Sequence, residues 1–265
     1  MGLHSKVVIG LSLAATALLA IPAQAATILP VTNLTFSVYT GTAPKGNFSA
    51  VNPTGWLRGA APANSDLVFI DAPGTATSSS GGYGVYGPFP NPPPGGNFVQ
   101  ADGNPDFESV FYQNITGLTP GTHYQLSFWQ AAGQQSGFVG ATTEQWIVSL
   151  GTSILTVSVD QFGMGHYSNA DAQASTVATT LMSTPSGGVS PWQQVTIDLV
   201  AHAVNEKLSF LAWGDNGSTV NLPPTVFLAG VNTPSQLPEP MTLSLFSAGL
   251  AGLALRRRAK NKAQA

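Results

Sequence analysis

The stretch "SVFYQNITGLTPGTHYQLSFWQ", residues 109–130, decides how this chain folds. In its second half Tyr124, Leu126 and Phe128 share one face, and His123, Gln125, Ser127 and Trp129 share the other. That is the two-residue period of a strand with one buried side. The first half, "SVFYQNI", reads as a second strand. Between them, Gly117 and Pro120-Gly121 supply a turn, because proline presets φ and glycine tolerates a positive φ.

The same alternation recurs along the chain. In "WQQVTIDLV" (192–200), Val195, Ile197 and Leu199 oppose Gln194, Thr196 and Asp198, and "EKLSFLAWG" (206–214) repeats the pattern with Leu208 and Phe210. Further candidate strands are "LTFSVY" (34–39), "DLVFI" (66–70), "GNFVQA" (96–101), "EQWIVSL" (144–150), "SILTVSV" (153–159) and "TVFLAGV" (225–231). About ten short strands separated by turn residues predict an all-β, antiparallel β-sandwich or barrel. The small residues of "SNADAQASTVATTLM" (168–182) fit a short helix, a loop or an irregular sheet edge. The Gly/Pro/Ser-rich stretch from Ala72 to Asn97 is long for a loop, and loops of that length carry function or disorder.

The two ends differ from the body. Lys6, the apolar run Val7 to Ile21 and Ala23-Gln24-Ala25 have the order of an export signal, so residues 1–25 are set apart from the fold. The net charge of −3 conceals an acidic body: all twelve acids, but of the basic residues only Lys45, Arg58 and Lys207, lie between Ala26 and Pro240. A surface so poor in Lys and Arg excludes nucleic acid as a partner. With no cysteine, disulfides, thiolate metal sites and a Cys nucleophile are all excluded. The expected organisation is a signal peptide at 1–25, a β-sandwich domain at 26–231 and a linker at 232–240. A hydrophobic sorting or transmembrane segment at 241–255 and a basic cytoplasmic tail at 256–265 follow. The uncharged run Met241 to Leu255 would span about 22 Å as a helix, short of a roughly 30 Å hydrocarbon core. Arg256, Arg257 and Arg258 would hold its end in the cytoplasm.

Pro238-Glu239-Pro240, the apolar run and "RRRAK" resemble the PEP-CTERM sorting signal of exported Gram-negative proteins. The resemblance implies recognition by an exosortase-type membrane protease-transpeptidase and a transient or retained hold on the inner membrane. It further implies a destination in the cell envelope, at the cell surface or in the extracellular matrix, in systems that accompany exopolysaccharide. The phrases "FVQADG", "VFYQNITGLTPGTHYQLSFWQA", "SPWQQVTIDL", "LSFLAWG" and "PPTVFLAGVNT" are similar to galactose-binding-like jelly rolls, which narrows the expected fold to a jelly-roll β-sandwich.

Aromatic faces beside amides and hydroxyls suit sugar rings. Trp129 with Gln130 is one such candidate, and Tyr83 and Tyr86 in the Gly/Pro-rich stretch form a candidate binding lip; the competing reading for each tryptophan is a place in the core. Asp102, Asn104, Asp106 and Glu108 alternate in a way that hard oxygen ligands for calcium do. Phe107 and Gln113, however, stand where an EF-hand needs Gly and Glu, and the competing reading is an acidic turn. No G-x-S-x-G or H-E-x-x-H is present, and no catalytic residue is assigned. The expectation is a non-enzymatic protein that binds surface polysaccharide. Its rivals are a structural matrix protein making protein–protein contacts and an envelope glycan hydrolase.

Overall fold

The computed structural model describes residues 26–41, 52–59, 67–77, 83–107 and 110–233. The signal peptide, the 241–255 segment, the basic tail, Pro238, Glu239, Pro240 and Glu108 lie outside the described residues. In chain order the strands begin with β1 (Tyr39–Thr40), β2 (Asn52–Pro53), β3 (Trp56–Arg58), β4 (Val68–Asp71) and β5 (Phe98–Asp102). They continue with β6 (Val110–Thr116), β7 (His123–Gln134), β8 (Thr142–Gly151), β9 (Leu155–Val159) and β10 (Gly165–Asn169). The series ends with β11 (Ser175–Ala178), β12 (Met182–Thr184), β13 (Val189–Val200), β14 (Asn205–Gly214) and β15 (Pro224–Ala229).

These strands form a jelly-roll β-sandwich. One sheet has the order β13-β7-β15-β5-β4. The other has the order β11-β8-β14-β6-β3, with β12 also on β8. Every pairing between named strands is antiparallel. The hairpin β9–β10 stands apart as a two-stranded sheet.

Residues 110–130 of the opening stretch are the arch between the sheets: β6 belongs to the six-stranded sheet and β7 to the five-stranded one. Its turn forms where sequence places it. Thr122 N–H donates to the Thr119 carbonyl at 3.1 Å, with Pro120 and Gly121 (φ +81°) between them. Leu118 and Gly121 N–H groups donate to Val204 and Ala201 carbonyls on the β13–β14 connection, so two sheet-to-sheet crossings are clipped together. Glu206 secures this end by accepting N–H bonds from His202 and Ala203. The His202 ring lies between Glu206 Oε1 at 2.7 Å and Asp171 Oδ2 at 2.9 Å.

The core between the sheets is aromatic. Phe128 of β7 meets Phe210 of β14 edge to face at 5.2 Å, and Trp146 of β8 meets the same Phe210 at 5.9 Å. The Trp146 indole N–H donates across the sandwich to the Phe227 carbonyl of β15 at 3.0 Å. Trp56 stacks flat on Phe111 at 4.8 Å.

One local expectation is revised, and one left open is resolved toward the sheet edge. The stretch 34–39 is mostly a turn, because Asn33 and Phe36 adopt positive φ (50° and 52°), which lets Phe36 drop its ring against Trp56. The stretch 168–182 contains no helix: after a turn it supplies β11, an edge strand on β8 whose Val177 packs against the core.

Replacing Trp146 by Phe keeps much of the ring volume and deletes the inter-sheet hydrogen bond. Equilibrium urea unfolding is expected to show a loss of about 1–3 kcal/mol, and an unchanged midpoint would remove that bond from the account.

Candidate functional site

Residues 72–77 and 83–97 lie over the outer face of the five-stranded sheet. Ala76, Val85 and Phe89 pack there on Phe98, Ala131, Phe227 and Ala229, with Trp129 and Trp192 half-buried at the margin. Phe89 lies 4.2 Å from Phe227 between ring centres, and Trp192 donates its indole N–H to the Pro90 carbonyl at 2.8 Å. Most of this outer face is therefore a second, smaller core, with Trp129 at its edge.

The tyrosines of this segment are tied down. The Tyr86 hydroxyl donates to the Phe138 carbonyl at 3.0 Å and accepts from Gly137 N–H at 3.2 Å. Tyr83 packs on Phe69 at 5.1 Å, and its carbonyl accepts from Gln100 Nε2 at 2.7 Å. Burial, together with the negative charge of Asp102, pushes the Tyr83 phenol up.

Trp129 and Gln130 point to opposite sides of β7. Gln130 is fully buried between the sheets and donates its amide to the Thr180 carbonyl at 3.0 Å, so it does not sit beside the indole. The amide that does is Gln194, the cross-strand partner of Trp129 on β13. Below it the ladder pairs Ser127 with Thr196 and Gln125 with Asp198. Gln194, Thr196 and Asp198 are exposed. At the far end His123 Nδ1 meets Asp198 Oδ2 at 2.5 Å. The result is a polar strip, roughly 20 Å long at strand rise, running from an indole to an imidazole–carboxylate pair. Period two already grouped Gln194, Thr196 and Asp198; the register that sets them beside Trp129 is a tertiary fact.

The alternating acids form a turn within the described residues. Asp102 Oδ1 accepts from Asn104 N–H at 2.8 Å, and Asn104 Oδ1 accepts from Asp106 N–H at 3.0 Å. These contacts are the Asx-type bonds of an acidic turn, the competing reading of this stretch. Among the described residues no group of three or more His, Asp and Glu could hold a metal. Thermal unfolding is accordingly expected to be the same in EDTA and in calcium, and a calcium-dependent rise in midpoint would restore a metal site here.

Among the described residues Asp71, Asp102, Glu144 and Glu206 are buried, and three of these carboxyls are shifted upward. Burial pushes Asp71, Asp102 and Glu144 up to about 7; hydrogen bonds from Thr75, from Asn104 N–H, and from Thr142 and Thr184 respectively oppose it only in part. Asp171 is held at about 2, chiefly by N–H and hydroxyl donors from Thr152, with Gln173 N–H adding to them.

No protein-family model matches the sequence, and no curated protein does. Among solved structures the chain is similar to the carbohydrate-binding module TmCBM61 in complex with β-1,4-galactotriose. That pair shares 11% identity at a TM-score of 0.36, over 76% of this chain and 94% of the other. It is similar to the CBM22-2 xylan-binding domain from Paenibacillus barcinonensis at 10% identity and a TM-score of 0.36, over 71% and 92%. The enzymatically active domain of tailspike protein 4 from bacteriophage CBA120 aligns at 14% identity and a TM-score of 0.36. There 68% of this chain is covered, and it spans 19% of the tailspike chain. Likeness at this level carries no argument about ligand or activity.

The buried carboxyls set the pH dependence of stability. Unfolded, Asp71, Asp102 and Glu144 return to about 4, so between about pH 4 and 7 the folded state holds more protons and stability falls as pH rises. Asp171 acts oppositely: its contribution is complete above about pH 4 and is lost as pH falls toward 2. Urea midpoints are expected to peak near pH 4–5 and to decline toward pH 8, and Asp102→Asn should flatten that decline. A midpoint that climbs steadily from pH 5 to 8 would contradict the buried-carboxyl assignment.

Proposed function

We propose that the protein is exported and engages surface polysaccharide without catalysis, through the outer face of β7 and β13. The observation that carries this reading is the pairing of the Trp129 indole with exposed Gln194, continued by Thr196 and Asp198 along one rung-by-rung strip. A pyranose offers an apolar C–H face and a rim of hydroxyls, and an aromatic margin followed by amide, hydroxyl and carboxylate groups answers both. The strip is open along its length, as a site for a long chain needs to be, and the acidic body disfavours highly anionic polymers.

Sorting belongs to the same proposal and rests on sequence alone. The leader at 1–25 would send the body out of the cytoplasm. Pro238-Glu239-Pro240 with the run to Leu255 would then hold it at the inner membrane for an exosortase-type protease-transpeptidase. Its destination would be the envelope or the matrix, where exopolysaccharide is at hand.

The test is affinity electrophoresis of the purified protein through gels containing the host's exopolysaccharide. Gln194→Ala combined with Thr196→Ala is expected to weaken retardation by about tenfold, the loss of one or two net hydrogen bonds. Retardation equal to that of the parent would remove this face from the proposal. Full loss of retardation in every sample, including a folded parent, would favour the matrix-protein alternative.

A further inference from the structure

The other outer face of the sandwich carries a cleft. Hairpin β9–β10 lies over the six-stranded sheet, where Leu155 and the half-buried Val157 pack with Val110, Ile147, Leu211 and Trp213. Where this cover ends, Met164, Gly165, His166, Tyr167, Trp213 and Asn216 line an open cleft of about 340 Å³. Its volume and mixed lining are those of a small-molecule site at the lower end of the usual range.

The walls are fixed by bonds that do not use the lining side chains of Tyr167 and Asn216. Met164 bridges to Ser218, and Thr219 donates both its N–H and its hydroxyl to the Gly163 carbonyl at 3.1 and 2.9 Å. Asp160 ties off the hairpin turn by accepting from Phe162 and Met164 N–H groups at 2.8 and 3.0 Å, and it orients His166 through Nε2 at 3.1 Å. Tyr167, 40% exposed, stands edge to face on the buried Trp213 at 5.1 Å.

Backbone conformation at the cleft is unusual. Asp215, Asn216 and Gly217 follow one another with φ of 45°, 52° and 85°. Left-handed conformation is unfavourable for side-chain-bearing residues and is held only where the surroundings impose it. Here the Asp215 carboxylate is anchored by Thr143 N–H at 2.9 Å, and the consequence is that Asn216 joins the cleft lining. Gly165 and Gly217 keep the Trp213 edge accessible to close backbone. A Cβ at Gly217 would lie 2.7 Å from Trp213 Cζ2, and one at Gly165 would lie 2.5 Å from Pro105.

We infer that this cleft is a second carbohydrate site, one that takes the end of a neutral glycan, about one or two sugar rings deep. Tyr167 supplies the aromatic wall, and the Asn216 amide supplies a donor and an acceptor for hydroxyls. The Asp160 carboxylate behind His166 disfavours an acidic sugar. Because the cleft and the β7–β13 strip lie on opposite outer faces, one domain can bridge two glycan chains. The bridging step rests on the polysaccharide-binding reading above; the cleft itself does not.

The experiment titrates the full-length protein with galactose, glucose, mannose, xylose and their β-1,4-linked disaccharides, followed by side-chain and backbone NMR shifts. At least one neutral sugar is expected to shift Tyr167 and Asn216 saturably. Tyr167→Ala and Asn216→Gly are each expected to weaken that binding by tenfold or more. Asn216→Gly also removes the left-handed strain, so its unfolding temperature should equal or exceed the parent's, which separates lost contact from lost fold. Gln194→Ala with Thr196→Ala should leave sugar binding at the cleft intact. Exopolysaccharide solutions should thicken with the parent protein and not with either set of variants. The absence of saturable shifts for every sugar, or shifts equal in parent and cleft variants, would overturn the cleft assignment. Short-sugar binding at the cleft with undiminished polymer retention in the β13 variant would overturn the strip and leave the cleft standing.

Discussion

The structure depends on closing one sheet over the other without a disulfide, and the Trp146–Phe227 contact shows how that is done. A fully buried indole of the six-stranded sheet gives its N–H to a backbone carbonyl of the five-stranded sheet, while its ring packs against Phe210. A buried indole N–H without a partner costs stability, so the bond fixes the relative position of the sheets as well as adding to their attraction. Phe128 meets Phe210 from the facing sheet. Once that layer is in register, the outward residues of each sheet are fixed too, and with them every surface considered for binding.

Both outer faces are partly covered, and the cover defines what remains open. The Gly/Pro-rich segment lays Phe89 on Phe227 and takes up the Trp192 N–H, so that most of the aromatic surface there is structural. What it leaves uncovered is the polar strip below Trp129. On the opposite face the β9–β10 hairpin covers Trp213 in the same way and stops short, leaving the cleft. In both places a chain segment added over a sheet converts a flat surface into a bounded one.

Much of this was legible in the residues. Alternation in 123–130, 192–200 and 206–214 placed the correct side chains inward, because period two is a local property of an extended chain. The Pro120-Gly121 turn was equally local. Gln130 misled because it is adjacent to Trp129 in sequence, yet adjacency in a strand means opposite faces; its partner by register, Gln194, is distant in the chain. Tyr86 read as a free aromatic lip, but backbone groups at Gly137 and Phe138, supplied by another loop, engage its hydroxyl. The cleft had no local signature at all: Tyr167 meets Trp213 only because a hairpin folds back over a sheet it does not join. The left-handed run at Asp215 and Asn216 was equally hidden, since neither residue type demands it.

The central claim is that the open surfaces beside Trp129 and Tyr167, and not the buried aromatics, meet glycan. The most direct measurement is residue-resolved NMR mapping with size-fractionated fragments of the host's exopolysaccharide. The account predicts shifts at the Trp129 indole, the Gln194 amide and the Asn216 amide, with the Trp146 indole and the Gln130 amide unmoved. Saturable shifts that avoid all three of the former, or no shifts from a folded sample, would contradict it.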